Sequence, residues 1–508
     1  MYEEEYLALS PSEFFLRFKE TSGLDNPKKV VYVSCRELLE NAIDATEVIG
    51  VLPEISINIS PFDKQNDWYE IRVKDNGVGV RGDLIPEVFG RLLLSSKYGL
   101  LQTRGIFGMG AKLCLLYGSS ETGQPFKVVS SIGNGEIHGY KLKIDVAKNK
   151  PIVVNHVIKQ GKWRGTIVSV VTKGDFKRAF PLIRRYLHGF SLINPYVNLK
   201  FVFQDVVLQF RRVTRAVPKP PKKIKPHPKS ITRFQLSKML DENKNLHLSE
   251  FMLKFHRVGK KKCNDFLSFV LLNQNEKVVN ILHNEKMINQ FYNGLHNFDG
   301  WIEPNVNCLS LLSESLFLNS VCSRVSPQFA SYARRVGSYS GLPFVVEVVS
   351  AYGGKIKVLK SGVFNVHRFA NRMPLLTNVK DAIFHTVIDR TNFGYFKITK
   401  DMPIEFFVHL ASIRIPYKSQ GKESIADVEE ITKALHLAVI QSLKKLSKKI
   451  KHRQRSLFEM KKSKTIAKYL KKTNQFVSNA IKQPQHNLNA LFPKLFKTKV
   501  KEEVEIVV

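Results

Sequence analysis

The sequence predicts a multidomain α/β protein: an α/β sandwich, a small helical module, and a second α/β domain ending in a long helix. Three observations carry this. Apolar residues switch between helical and alternating periods along the first half of the chain. A proline- and lysine-rich stretch interrupts it at 217–229, and a lysine-faced helical pattern free of proline fills the region from Ser424 to about Lys472. At 508 residues the chain exceeds what a single core organises.

The elements follow in order. Residues 27–50, PKKVVYVSCRELLENAIDATEVIG, read as a helix, with Pro27 suited to the first turn and Gly50 to the end. EISINIS alternates as a strand. WYEIRVKD is a second strand and runs into DNGVGV, whose glycines mark a turn where backbone comes close to something or takes positive φ. A polar loop, SSKYG, leads to TRGIFGMGAK, a glycine-rich loop opening the helix AKLCLLYG. FKVVSSI, YKLKIDV, GTIVSVVT and VNLKFVF then supply strands that complete a mixed sheet.

In VPKPPKKIKPHPK, residues 217–229, five prolines and five lysines exclude regular structure and end the first domain. Residues 230–299 are of helical type. After Gly300, PFVVEVVSAYGG, KIKVL and EFFVHLASI read as strands by their β-branched and aromatic content. The long helix follows, and Pro484 and Pro493 mark a looser basic tail. The expected divisions are therefore 1–225, 226–299, 300–472 and 473–508.

Hydrophobic residues at 43% and aromatics at 10% fit a globular protein, no apolar run is long enough to span a membrane, and MYEEEYLALS lacks the basic start of a secretory signal. A cytoplasmic protein without a membrane partner is expected. Cys35, Cys114, Cys263, Cys308 and Cys322 form no CxxC pair, which argues against a zinc site or a disulfide framework. The net charge of +35 attracts polyanions and points to a nucleic acid, although a lysine-rich composition also arises from genome bias or thermal adaptation.

Three groups of residues could carry chemistry. Glu37, Asn41 and Asp44 fall on one helix face, where a carboxylate and an amide can orient a water and complete a magnesium shell; the same spacing also fits a solvated amphipathic face. Asp75, at a strand end before Asn76, Gly77 and Gly79, can accept a hydrogen bond from an amino group such as that of adenine, and DNG is equally an ordinary turn signal. Gly105, Gly108 and Gly110 precede a helix whose N-terminus can cradle phosphates, with Lys112 adding charge. Ala111 and Leu113 break the Walker pattern, and no strand precedes the loop, so neither a Walker loop nor a dinucleotide fingerprint fits.

Taken in order, RELLENAIDAT, DNGVGV, SSKYGLLQTRGIFGMGAK and GTIVSVV resemble the nucleotide-binding (GHKL, Bergerat) fold shared by gyrase, MutL mismatch-repair proteins, the large heat-shock chaperone and histidine kinases. FGRLLLSSKY, QTRGIFGMGAK, PKPPKKIKPHP, FANRMPLL and IPYKSQGKESIADVE narrow the resemblance to archaeal type IIB topoisomerase VI B subunits, over roughly residues 10–450.

The resemblance implies a GHKL ATP-binding domain at 1–225, a helix-two-turns-helix domain at 226–299, a transducer domain with its long helix at 300–472, and a basic tail at 473–508. It implies ATP and Mg²⁺, with Glu37 as the general base, Asn41 as the magnesium ligand, and Asp75 on adenine with Gly79 beside it and Thr166 in support. Ser96, Lys97 and the run Gly105, Ile106, Phe107, Gly108, Met109, Gly110, Ala111 and Lys112 would wrap the triphosphate. Lys422 would reach the γ-phosphate from the second α/β domain and act as a switch.

Two chains would dimerise on ATP within an A₂B₂ heterotetramer, close on duplex DNA, and pass it through a break made by the topoisomerase VI A chain, relaxing supercoils and decatenating DNA at the nucleoid. The segment before Phe14 is short, so a reduced N-terminal strap is expected. Lys444, Lys445, Lys448, Lys449, Lys451 and Lys461 would track DNA phosphates, dock the A chain, or form a solvated basic face. A non-catalytic scaffold like the B-like partners of meiotic recombination, or a chaperone or repair ATPase, would share the fold. The intact acids and lid argue against the first, and IPYKSQGKES with the helical insertion against the second.

Overall fold

The computed structural model describes residues 8–488 apart from 96–98, 100, 106–107, 360–362, 377–382, 419–421, 423 and 486. Two compact units divide the chain: residues 1–391 with 400–442, and residues 392–399 with 443–508.

The first unit opens with α1 (Pro11–Arg17), α2 (Pro27–Val48), β1 (Glu54–Asp63), β2 (Trp68–Lys74), α3 (Ile85–Gly90) and α4 (Gly110–Thr122). There follow β3 (Phe126–Ile132), β4 (Glu136–Asp145), β5 (Lys150–Gln160), β6 (Arg164–Lys173), α5 (Phe176–Ile193), β7 (Asn198–Phe203) and β8 (Val206–Phe210). The eight strands form one sheet in the order β5-β4-β3-β6-β2-β1-β7-β8, antiparallel except where β1 runs parallel to β7 with Glu54 opposite Asn198. Helices α2 and α4 pack on this sheet, and α5 packs on α2. Helix α2 starts where Asn26 accepts the Lys28 N–H at 3.0 Å and Pro27 occupies the first turn, a cap that contributes about 1 kcal/mol. Its Val30, Val31, Leu39 and Ile43 are fully buried.

The proline-rich stretch forms no regular element until a short 3₁₀ turn at Pro228–Ser230. Beyond it lie α6 (Arg233–Glu242), α7 (Leu248–Met252), α8 (Lys260–Phe269), α9 (Val278–Leu282) and α10 (Glu285–Asn297). These helices enclose their own core around Phe251, Phe266 and Phe291.

Next come α11 (Glu314–Val325), β9 (Phe329–Tyr339), β10 (Leu342–Tyr352), β11 (Asn365–Ala370), β12 (Met373–Pro374), α12 (Ile383–Asp389) and β13 (Ile404–Ser412). The second sheet runs β12-β11-β13-β10-β9, with β10 buried along almost its whole length. PFVVEVVSAY and EFFVHLAS are strands as expected, but KIKVL is not. Gly353 and Gly354, at φ 70° and 66°, turn the chain out of the sheet after β10, and of the lysine-flanked residues only Ile356 is buried. Conversely β9 carries Arg334 and Arg335 in mid-strand, so composition alone does not signal it.

Helix α13 (Glu429–Ile481) starts later than Ser424, because Ile425 is held in a bridge with Tyr417, and it runs past Lys472 to Ile481, before Pro484. Within the second unit Leu443, Leu446 and Ile450 are buried, whereas Lys444, Lys445, Lys448, Lys449, Lys451 and Lys461 are exposed. No helix among the described residues is long and apolar enough to cross a membrane. Cys35, Cys114, Cys263 and Cys308 are buried thiols and Cys322 is exposed.

Candidate functional site

Helix α2 lays four acids, Glu37, Glu40, Asp44 and Glu47, along one stripe at spacings of three and four residues. Burying carboxylates is costly unless cations and hydrogen bonds compensate, so each one identifies a partner brought by the fold.

Glu37 and Glu40 are both buried. Arg36 donates to Glu37 Oε1 at 2.8 Å and lies 3.7 Å from Glu40, to which the Tyr186 hydroxyl also donates, at 3.3 Å. The Lys422 ammonium lies 2.9 Å from Glu40 Oε2 and 3.4 Å from Glu37 Oε1. Lys422 itself sits at φ 56° in a loop closed by the Tyr417–Ile425 bridge and by the Lys418 N–H donating to the Ser424 carbonyl at 2.9 Å. Burial alone would raise the Glu37 carboxyl, but Lys422 and Arg36 outweigh it and bring the pKa down to about 2. Glu40 moves the other way, because burial and the charge of Glu37 outweigh the same cations. Burial works against the Lys422 ammonium, yet Glu37 and Glu40 hold its pKa above the usual lysine range.

The glycine-rich loop closes on this cluster. A Cβ on Gly110, the first residue of α4, would lie 1.8 Å from Glu37 Oε2, so only glycine lets the helix N-terminus approach the carboxylate. A Cβ on Gly105 would lie 3.7 Å from Lys422 Nζ. Gly108, at φ 59°, packs against the Ser95 side chain. The cavity bounded by Glu37, Glu40, Asn41, Gly105, Gly110 and Lys422 holds about 60 Å³. Met109 and Ala111 are buried beside it. Lys112 is turned elsewhere: its ammonium donates to the carbonyls of Arg91, at 2.8 Å, and Leu94, and burial lowers its pKa to about 8. Ser96, Lys97, Ile106 and Phe107 lie outside the described residues.

A second cluster stands at the end of β2, tied to α2 where Val78 N–H donates to the Ala45 carbonyl at 3.0 Å. Asp75 Oδ1 accepts the N–H groups of Gly77 at 2.8 Å and Thr166 at 3.2 Å. Burial raises the Asp75 carboxyl to about 6 against these two bonds. Gly79, at φ 74°, passes so close to the Ser131 carbonyl that a Cβ would lie 2.0 Å from its oxygen. The Thr166 hydroxyl is within hydrogen-bond reach of Ser130 Oγ at 3.0 Å, and Ser130 Oγ also receives the Val80 N–H.

Asn41 lines the Glu37 cavity from an exposed position on α2, so its amide oxygen can complete a magnesium shell otherwise made of phosphate oxygens and water. Among the described residues no group of three or more His, Cys, Asp and Glu could hold a metal ion by itself.

Asp44 does not join Glu37 and Asn41. It faces Arg104, 2.6 Å away, at the start of a network that local spacing could not disclose. Arg104 donates to both oxygens of Glu47, at 2.7 and 2.9 Å, and Arg372 donates to Glu47 Oε2 at 2.7 Å and to the Tyr196 hydroxyl at 2.9 Å. Burial raises the Glu47 carboxyl, but Arg104 and Arg372 outweigh it and hold it below the usual range. Asn371 Oδ1 accepts from Gln102 Nε2, and Asn371 Nδ2 donates to the Thr103 carbonyl, both at 3.0 Å. Asn371 and Arg372, at φ 45° and 64°, form the two-residue turn between β11 and β12, a left-handed pair that normally calls for Asn-Gly and that costs roughly 1 kcal/mol or more at arginine. Glu40 and Glu47, on the same stripe as Glu37 and Asp44, were within reach of helical spacing; Arg372, 325 positions from Glu47, was not.

Residues 29–146 match the family of histidine kinase-, DNA gyrase B-, and HSP90-like ATPases, and residues 304–464 match the transducer of the topoisomerase VI B chain. The B chain of type 2 DNA topoisomerase 6 from Sulfurisphaera tokodaii is 36% identical over 481 residues, covering 92% of this chain and 89% of that one. Its counterpart from Saccharolobus solfataricus is 34% identical over 479 residues, with the same shares covered.

Proposed function

The chain belongs to the family of type 2 DNA topoisomerase 6 B subunits, and from that premise we infer that it is the ATP-binding and ATP-hydrolysing component of a type II DNA topoisomerase. The observation that carries the mechanism is the placement of Lys422 against Glu37 at the N-terminus of α4.

In this arrangement Glu37 is a poor base, since a carboxyl held near 2 has little affinity for a proton. When Lys422 turns to a γ-phosphate, Glu37 keeps only Arg36 of its two cations, and its burial then raises its basicity at the moment a water must be aligned. Lys422 thereby switches the base as well as sensing the phosphate. Asp75 accepts the amino group of adenine, with Thr166 and Gly79 shaping the pocket around it. Gly105, Gly108, Met109, Gly110 and Ala111 supply backbone for the phosphates, together with Ile106, Phe107, Ser96, Lys97 and, after it leaves the Arg91 and Leu94 carbonyls, Lys112. Bound magnesium would supply charge neutralisation on the phosphates, and Asn41 would hold it.

Residues 1–225 form the ATP-binding domain in this reading, 226–299 the helix-two-turns-helix domain and 300–472 the transducer. Two copies close on duplex DNA when ATP binds, and the duplex passes through a break made by the A chain in an A₂B₂ assembly. The charge of +35 suits a polyanionic substrate.

The test measures ATP hydrolysis, and dimerisation with a non-hydrolysable analogue, for wild type and Glu37→Ala, with and without duplex DNA and the A chain. Analogue-driven dimers, and a Glu37→Ala chain that dimerises on ATP without turning it over, are expected. A wild-type chain that neither binds nor hydrolyses ATP beside its A chain would replace this reading with that of a scaffold.

A further inference from the structure

We propose that the Asn371–Arg372 turn is a positioning element for ATP-driven strand passage: it seats the base of the nucleotide lid and ties that base, through Glu47, to the sheet that carries Lys422. The proposal rests on the functional reading above and adds to it a coupling device made of residues that touch neither nucleotide nor DNA.

The second sheet grips α2 at two places. Lys422 holds Glu37 and Glu40, and Arg372 holds Glu47 about ten residues further on, roughly 15 Å along the helix axis. The two grips differ in kind. The first is one ammonium on a loop. The second is a carboxylate gripped by two guanidinium groups and the Tyr196 hydroxyl, all buried. When Lys422 leaves Glu37, the second sheet can move only about the end that stays fixed, which is the Arg372 end.

The same turn fixes the lid. Gln102 is held by Asn371 and by the Ser310 N–H, which donates to its Oε1 at 2.6 Å. The Thr103 carbonyl is held by Asn371, and Arg104 by Asp44 and Glu47. These bonds fix residues 102–104, up to Gly105, where a Cβ would lie 3.7 Å from Lys422 Nζ. Beneath the turn, the Arg372 N–H donates to His409 Nε2 at 3.0 Å, and His409 Nδ1 lies 2.8 Å from Glu347, whose other oxygen receives the Tyr332 hydroxyl. β13 carries His409, on which the turn rests, and the chain leaving β13 forms the loop of Lys422, so one strand underlies the turn and leads to the switch. Two consecutive left-handed non-glycine residues persist here because both side chains are used, which is how strain marks a working site.

The test uses the full chain assembled with its A chain. Arg372→Lys keeps a cation opposite Glu47 but loses the fork that also reaches Tyr196. Asn371→Gly keeps the turn, whose backbone glycine adopts freely, and deletes every side-chain bond to Gln102 and Thr103. ATP hydrolysis and supercoil relaxation are measured on the same samples, with thermal unfolding alongside. Expected is a kcat for ATP within about twofold of wild type but at least about fivefold more ATP hydrolysed per supercoil removed, the low end of coupling between distant sites. An unchanged ratio in both variants, or equal losses of hydrolysis and relaxation that follow the unfolding midpoint, overturns the proposal. A wild-type complex that hydrolyses no ATP overturns the functional reading and the proposal with it, and is distinguished because it appears before any variant is made.

Discussion

Lys422 Nζ stands 3.4 Å from Glu37 Oε1 across 385 residues of sequence, and the pair sets the charge state of the helix that faces the lid. Lys422→Ala leaves Glu37 with Arg36 alone. Its carboxyl rises from about 2, because burial then meets less opposition. A carboxyl depressed in the folded state stabilises the protein above its ordinary value of 4.5 and loses that contribution as pH falls towards 2. The stability gap between wild type and variant, about 3–5 kcal/mol for a broken buried pair, is therefore widest above that value and narrows on acidification. Urea unfolding between pH 4 and 7 measures it, and parallel curves would sink the assignment. ATP turnover falls about a hundredfold in the same variant, the usual effect of losing one charge-stabilising donor.

Asp75 shows the opposite sign. Its carboxyl is raised to about 6, so the folded state favours the protonated form, and ionisation costs stability as pH rises through that value. Only the ionised form can accept on both oxygens, so the KM for ATP climbs about tenfold per pH unit below 6 while kcat changes little. Asp75→Asn removes the dependence and weakens ATP binding by about a hundredfold, since a donor then faces a donor. A flat KM profile in wild type would count against adenine contact.

Gly110→Ala places a methyl 1.8 Å from the present position of Glu37 Oε2. The carboxylate must move, and a displaced base costs about a hundredfold in kcat. Alanine favours the helix by up to about 1 kcal/mol, but moving Glu37 off Arg36 and Lys422 breaks a buried ion pair worth about 3–5 kcal/mol, so the unfolding midpoint falls. Steady-state hydrolysis beside calorimetry separates the two effects, and wild-type kcat would show that Glu37 is not the base.

Glu47→Gln leaves Arg104 and Arg372 buried with one acid fewer between them. Stability drops by about 3–5 kcal/mol. Because Glu47 is held below its ordinary value of 4.5, its contribution is full above that pH and is lost below it, so the deficit shrinks in acid. Thermal melts at pH 7 and pH 4 test this, and an equal deficit at both would assign the loss to packing.

What the sequence disclosed depended on whether a signal was local. Helix α2, the strand before Asp75 and the glycines ahead of α4 each announce themselves within a dozen residues by period, turn chemistry or composition. Glu37, Asn41 and Asp75 could therefore be named. Asp44 shares their helix face, yet the fold turns it to Arg104, sixty positions away. Glu47 and Arg372 are 325 positions apart, and a helical glutamate and a turn arginine carry no sign of each other until two sheets are packed. The Asn371–Arg372 turn is silent for another reason, since glycine is the residue that advertises a left-handed pair.

The parallel pairing of β1 with β7 also bears on when the enzyme becomes competent. Glu54 reaches Asn198 across 144 residues, so the first sheet cannot shut until the ribosome has delivered both edges of that span. Such non-local pairings form slowly. Arg372 and Lys422 emerge later still, and until they do α2 has neither of its two grips. Both grips on α2 are thus supplied by residues made after the first sheet is complete, so the nucleotide-binding half is finished before the part that transmits its motion.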